Sequence, residues 1–215
     1  MKLFKKIATV FLVIIVLFLV GGYFYFQKKF TPPENYLKIS GIAENIPIKW
    51  ISSDENSHSA LLLPVEIKGI NRTFHMQFDS GSPVTVFYKK SLESIAEKFQ
   101  NQLKIDNENS SISSAFRIGK MHVASNDFEV LDYGEKISFD NPNAENIIGT
   151  IGTDLLEKRI TILDFKNNQC SFIEKIKEDA FTAFEFKKRK ILIPSVIENE
   201  NLKLLYDTRT SGYEL

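Results

Sequence analysis

The chain has 215 residues, 43% of them hydrophobic and 25% charged, which suits one ordinary globular domain with additions. Lys and Arg (27) balance Asp and Glu (27), so no basic stripe for a nucleic-acid partner is indicated. Cys170 stands alone, which excludes an internal disulfide, and His58, His75 and His122 lack ligand spacing, so no metal site and no cofactor is expected.

Residues 1–29 differ in character from the rest. Their charges are Lys2, Lys5, Lys6, Lys28 and Lys29, and Ile7 to Phe26 is an uncharged run. At about 1.5 Å per residue that run crosses the ~30 Å hydrocarbon core as one transmembrane helix. The lysines ahead of it favour a cytoplasmic N terminus. The expectation is a single-pass cell-membrane anchor with the C-terminal domain outside the cytoplasm. A cleaved signal peptide is the rival reading, with cleavage conceivable after Gly22, but the run is long and lacks an A-x-A site. Residues 30–58 read as a stalk (30–45), broken from the helix at Pro32 and Pro33, and a leading strand at 46–51.

Residues 59–175 hold the main body. "ALLLPVEIKGINRTFHMQFDSGS" predicts a strand, a turn at Gly69 to Arg72, a second strand and an acid-bearing loop. Phe74, Met76 and Phe78 share one face of the second strand, and His75, Gln77 and Asp79 share the other. Val84, Val86 and Tyr88 then resume the alternation. "KKSLESIAEKFQNQL" (89–103) predicts a helix whose Leu92, Ile95, Phe99 and Leu103 form one core-facing stripe. Short strands follow within 115–134, and a mobile loop between 104 and 135 is expected to act as a flap. A glycine-punctuated apolar run from 147, a short helix and a hairpin close the body. Many strands with one or two short helices make the fold mainly β. "FKKRK" (186–190) reads as a solvated linker.

An internal repeat adds a second acid. "LLLPVEIKGINRTFHMQFDSGS" (61–82) is echoed by "ILIPSVIENENLKLLYDTRTS" (191–211), each ending in Asp-Ser/Thr-x-Ser/Thr. Residues 176–215 therefore read as a linker and the start of a second, similar lobe. Two carboxyls about 3 Å apart share one proton, so that one takes a proton from water while the other polarises a carbonyl. Gly81 keeps the loop slim where partner loop and substrate approach, and Ser80 and Ser82 are expected to fix the carboxylate plane.

At Asp79-Ser80-Gly81-Ser82-Pro83 the sequence resembles the D-[ST]-G-[ST] loop of retropepsin-like and pepsin-like aspartic peptidases, in particular the membrane-anchored bacterial type. The resemblance covers about residues 60–175. It implies a retropepsin-like closed β lobe and an endopeptidase acting on extended polypeptides. It also implies an apolar-apolar-Gly element supporting the acid loop, matched here by Ile148-Gly149 or Ile151-Gly152. The second loop, Asp207-Thr208-Arg209-Thr210, departs from the pattern by placing arginine where glycine belongs, adding bulk and a fixed cation. The helix and glycine element of a second lobe do not follow it. Three arrangements remain: a homodimer pairing two copies of Asp79, a piece of a longer two-lobed enzyme, or an inactive peptide-binding relative.

Overall fold

The uncharged N-terminal run folds as one helix, α1 (Lys2–Lys29), in the computed structural model of the chain. The structure describes residues 2–52, 58–99, 103, 105–106, 108, 110–141, 143–176 and 181–209. Within α1, Thr9–Lys29 is long and apolar enough to cross a membrane, a property that a signal sequence shares. The chain divides into two units, residues 1–33 and 34–215.

The second unit opens with three short strands, β1 (Lys38–Ser40), β2 (Ala43–Pro47) and β3 (Lys49–Ile51). The expected stalk is thus largely part of the lobe, because Leu37, Ala43, Ile46 and Ile48 are apolar enough to be drawn into its core. Next come β4 (Ala60–Ile67), β5 (Thr73–Phe78) and β6 (Val86–Tyr88), the last running directly into α2 (Lys89–Lys98). Leu92 and Ile95 of α2 are buried as their spacing predicts. The helix stops five residues short of the expected end, because Phe99 leaves helical geometry at φ −112°, ψ 65°. After it come β7 (Ile105–Asp106), β8 (Ser111–Ile118), β9 (Met121–Leu131) and β10 (Ile147–Ile151).

Six of these strands close a barrel in the order β9-β6-β10-β5-β4-β8, with β8 pairing back onto β9. Closure satisfies both edges of every wall strand. It also corrects the flap expectation, since residues 111–118 and 121–131 are barrel wall. The interior holds Phe74, Phe78, Phe87, Phe116 and Phe128, each almost wholly buried. Phe87 meets Phe116 and Phe128 edge-to-face, at centroid distances of 6.0 and 5.2 Å. Burying one such side chain stabilises the fold by roughly 1.5–3 kcal/mol.

Two small sheets flank the barrel. β11 (Ile160–Asp164) and β12 (Gln169–Ile173) pair with each other and with β2, placing Cys170 and Phe172 in the core. Burial pushes the Cys170 thiol up to about 12, so it packs as a small apolar group. β13 (Glu185–Lys187), β14 (Lys190–Ile197) and β15 (Glu200–Leu205) form the other sheet. The short helix expected after β10 is a run of turns over residues 153–158. There the Asp154 carboxylate takes the Leu155 N–H at 2.9 Å and competes with helical pairing.

Candidate functional site

The topology around Asp79 follows from one insertion. β10 lies between β5, to which it is parallel, and β6, to which it is antiparallel. The two strands that the acid loop connects are therefore held apart by a third. Asp79, at the C-terminal end of β5, donates its backbone N–H to Ile151 O at 3.0 Å. Both glycines of the inserted segment are required by close approach. A Cβ on Gly149 would strike Val86 O and stand 2.9 Å from Met76 Cε, and one on Gly152 would stand 2.8 Å from Val84 N and strike its carbonyl. Ile148 and Ile151 are fully buried core residues, and of the two it is the Ile151 carbonyl that takes the Asp79 N–H.

Asp79 is 6% exposed. Its Oδ1 accepts the backbone N–H groups of Gly81 (2.8 Å) and Ser82 (3.1 Å). The two serines do not do what their position suggests. Ser82 Oγ donates to Val84 O at 2.8 Å, bracing its own loop, and Ser80 Oγ reaches across to Tyr206 O at 2.9 Å. Neither hydroxyl fixes the carboxylate; the turn's backbone does.

Ser80 leads to the second acid. Thr208 N donates to Ser80 Oγ (2.9 Å) and Ser80 N donates to Thr208 Oγ1 (3.0 Å). Thr208 Oγ1 in turn donates to Phe78 O at 2.8 Å, just as Ser80 Oγ does to Tyr206 O. Each hydroxyl thus caps the residue preceding the opposite acid, a reciprocal lock between the two copies of the repeat. Arg209 N donates to Asp207 Oδ1 at 2.8 Å, repeating the Gly81–Asp79 contact. A Cβ on Gly81 would lie 2.5 Å from Asp207 Oδ2, so glycine is what lets the second acid come this close. Within one chain, then, the face of the Asp79 loop is taken by the Asp207 loop. Thr210 lies outside the described residues.

The loops open on a cleft lined by Asp79, Asp207, Arg209, Glu129, Tyr88 and Tyr133 among others. Arg209 Nη1 lies 3.7 Å from Asp79 Oδ2, which places the expected cation at the first acid. Tyr88 and Tyr133 meet edge-to-face at 4.9 Å, and the Tyr88 hydroxyl shares a 2.6 Å hydrogen bond with Thr150 Oγ1. Among the described residues, no group of three His, Cys, Asp or Glu side chains is placed to hold a metal ion.

Two supports were not legible as site residues. Asp154 is 5% exposed and accepts from Thr85 N (2.8 Å) and Thr85 Oγ1 (2.7 Å), tying the loop's exit to the glycine segment. Burial raises its pKa, against the lowering effect of those hydrogen bonds. Arg189, within the supposed linker, is 6% exposed, with Nη1 donating to Pro83 O at 3.2 Å. Its carbonyl accepts from Thr153 Oγ1 at 2.6 Å, and Nε stands 3.0 Å from Glu157 Oε1 in ion-pair range, without hydrogen-bond alignment. This arginine ties the turn between β13 and β14 to the acid-bearing loop and to the turns after β10.

Asp154 carries a testable consequence. Asp154→Asn keeps the size but turns an amide toward an N–H or hydroxyl that needs an acceptor. The lobe should lose about 1–3 kcal/mol. Because the folded pKa is raised, the wild-type carboxyl contributes most below its unfolded pKa, and this contribution is lost as pH rises through the folded value. Thermal denaturation should therefore show the gap between the two proteins narrowing from pH 4 to pH 7. A widening gap would contradict the raised pKa.

No family model matches the chain, and no curated protein matches it.

Proposed function

We propose that the chain is an aspartic-type endopeptidase in which Asp79 and Asp207 of one molecule share a proton across the cleft. The observation that supports this most is the reciprocal Ser80–Thr208 lock, which brings two acid loops of the same pattern together. In this reading the ionised carboxyl takes a proton from a water molecule, whose oxygen bonds to the peptide carbonyl carbon. The protonated carboxyl donates to the carbonyl oxygen. Collapse of the resulting diol breaks the C–N bond as the leaving nitrogen is protonated, and the pair regains its single proton. The aromatic wall of Tyr88 and Tyr133 suits an extended polypeptide. Peptide hydrolysis by Asp79→Asn and Asp207→Asn tests the reading, since only an intrachain pair makes both substitutions equally damaging.

A second reading is favoured by Arg209 at 3.7 Å from Asp79 Oδ2. A fixed cation there holds the pair away from proton sharing, and the cleft then binds peptide without cleaving it.

We propose further that α1 stays attached as a membrane anchor with residues 34–215 outside the cytoplasm. The lysine bias and the absence of a small-residue cleavage site motivate this. Mass spectrometry of the mature protein should recover the N-terminal peptide; a new N terminus near Tyr23 would refute the anchor.

A further inference from the structure

Arg189 occupies a turn position that favours glycine. The turn between β13 and β14 is closed by the Lys187–Lys190 pair, and its two central residues, Lys188 and Arg189, take φ of 51° and 59°. Long side chains disfavour that left-handed geometry. Arg189 is also 6% exposed, although a guanidinium is rarely buried unless its charge is met. Two segments meet it. Nη1 donates to Pro83 O in the acid loop, and Nε faces Glu157 Oε1 at 3.0 Å on the turns after β10. Glu157 is itself held, since its other oxygen accepts from Asn35 Nδ2 at 2.7 Å.

The hairpin that begins at this turn returns to it. Tyr206 N donates to Ile191 O at 2.9 Å, so the Asp207 loop lies at the same end of β14 and β15 as Arg189. That end is fastened to the Asp79 loop twice. Thr208 holds Ser80 on one side. On the other, Arg189 holds Pro83, and Thr153 Oγ1 lies within hydrogen-bond distance of both Arg189 O (2.6 Å) and Ser82 O (3.0 Å). The two fastenings straddle Gly81, where the space for an absent side chain is taken by the Asp207 carboxyl. A hairpin end fixed at one point can swing. Fixed at two, it holds Asp207 at a set approach to Asp79.

We propose that Arg189 is a positioning residue that sets how closely the Asp207 carboxyl approaches the Asp79 carboxyl. Its effect on rate rests on the endopeptidase reading. Its effect on the two loops does not.

The test uses the full chain in detergent micelles and Arg189→Lys, which keeps the charge but cannot hold Pro83 O and Glu157 in one fork. Ile67→Val, a core change at the end of β4 away from the acid loop, controls for lost stability. In Arg189→Lys, amide exchange in peptides covering 79–83 and 206–208 should speed up about tenfold, while β8 and β9 exchange as in the parent. The kcat for peptide hydrolysis should fall roughly 10- to 100-fold with KM little changed, the scale of a misplaced catalytic group. The bell of rate against pH should also narrow, because carboxyls held farther apart share one proton over a shorter range. Arg209, Glu129, Tyr88 and Tyr133, the other charged or titratable groups lining the cleft, are the same in both proteins. Ile67→Val should leave loop exchange, kcat and the bell as they are. Thr153→Val, which removes the contact to Arg189 O, carries the test if Arg189→Lys does not fold. Unchanged loop exchange, an unchanged kcat or bell in an active enzyme, or the same response in Ile67→Val would overturn the proposal. Faster loop exchange in a chain whose parent hydrolyses nothing would leave the positioning standing and remove the endopeptidase reading.

Discussion

Asp79→Asn and Asp207→Asn should each lower hydrolysis of an extended peptide by roughly 10²- to 10⁴-fold, the range for losing a general acid or base. The losses should be alike, because a pair that shares one proton fails when either member can no longer carry it. The fold should survive. Asp79 Oδ1 and Asp207 Oδ1 accept backbone N–H groups, which an asparagine oxygen also accepts. Circular dichroism of the variants should match the parent. The rate per molecule should also be independent of dilution, since both acids belong to one chain. Arg209→Gly belongs in the same assay. It removes the cation 3.7 Å from Asp79 Oδ2 and should raise the rate. If Asp207→Asn kept full activity while Asp79→Asn lost it, the intrachain pair would be excluded and an Asp79–Asp79 dimer favoured.

What the sequence made legible here, and what it hid, divides along physical lines. Period-two alternation marks β5 and β6 because one face of each is buried, and Leu92 and Ile95 mark α2 for the same reason at helical period. The repeat located both acids, because each follows an apolar strand and precedes a hydroxyl residue two loops share. The partners of the loop hydroxyls differ from those that adjacency suggests. Ser80 and Ser82 sit next to a carboxylate in sequence, but their partners, Tyr206 O and Val84 O, are fixed by chain reversal and by a contact 126 residues away. Arg189 and Asp154 were hidden for a related reason. A basic run reads as solvated, and only the contacts with Pro83 O, Thr153 and Glu157 explain why one member of it is buried. Residues 46–51 look like one isolated strand after a stalk until β12 is there to pair with β2 and β4 with β3, on either side of Ile48.

Gly152→Ala and Gly81→Ala should separate support of the loop from chemistry at it. At Gly152 an added Cβ meets Val84 backbone, 2.8 Å from its N and closer still to its carbonyl. Backbone cannot rotate aside, so β10 must move away from residues 84–85. That displacement strains three contacts at once: Asp79 N to Ile151 O, Gly152 N to Thr85 Oγ1 at 3.1 Å, and the Thr85–Asp154 pair. A loss of about 3 kcal/mol or more is expected, at the upper end for overpacking a close-packed site. For a unit of this size that lowers Tm by roughly 6–12 °C. At Gly81 the added Cβ meets the end of the Asp207 side chain, Oδ2 at 2.5 Å and Cγ at 2.8 Å, which can turn away. Stability should then fall little, while displacement of Asp207 from the cleft should cut hydrolysis about as deeply as Asp207→Asn does. Calorimetry and the peptide assay on both variants check the contrast. Equal stability losses would make the Gly81–Asp207 approach a structural joint between the two repeats, and the case for a reactive pair would lose its geometric basis.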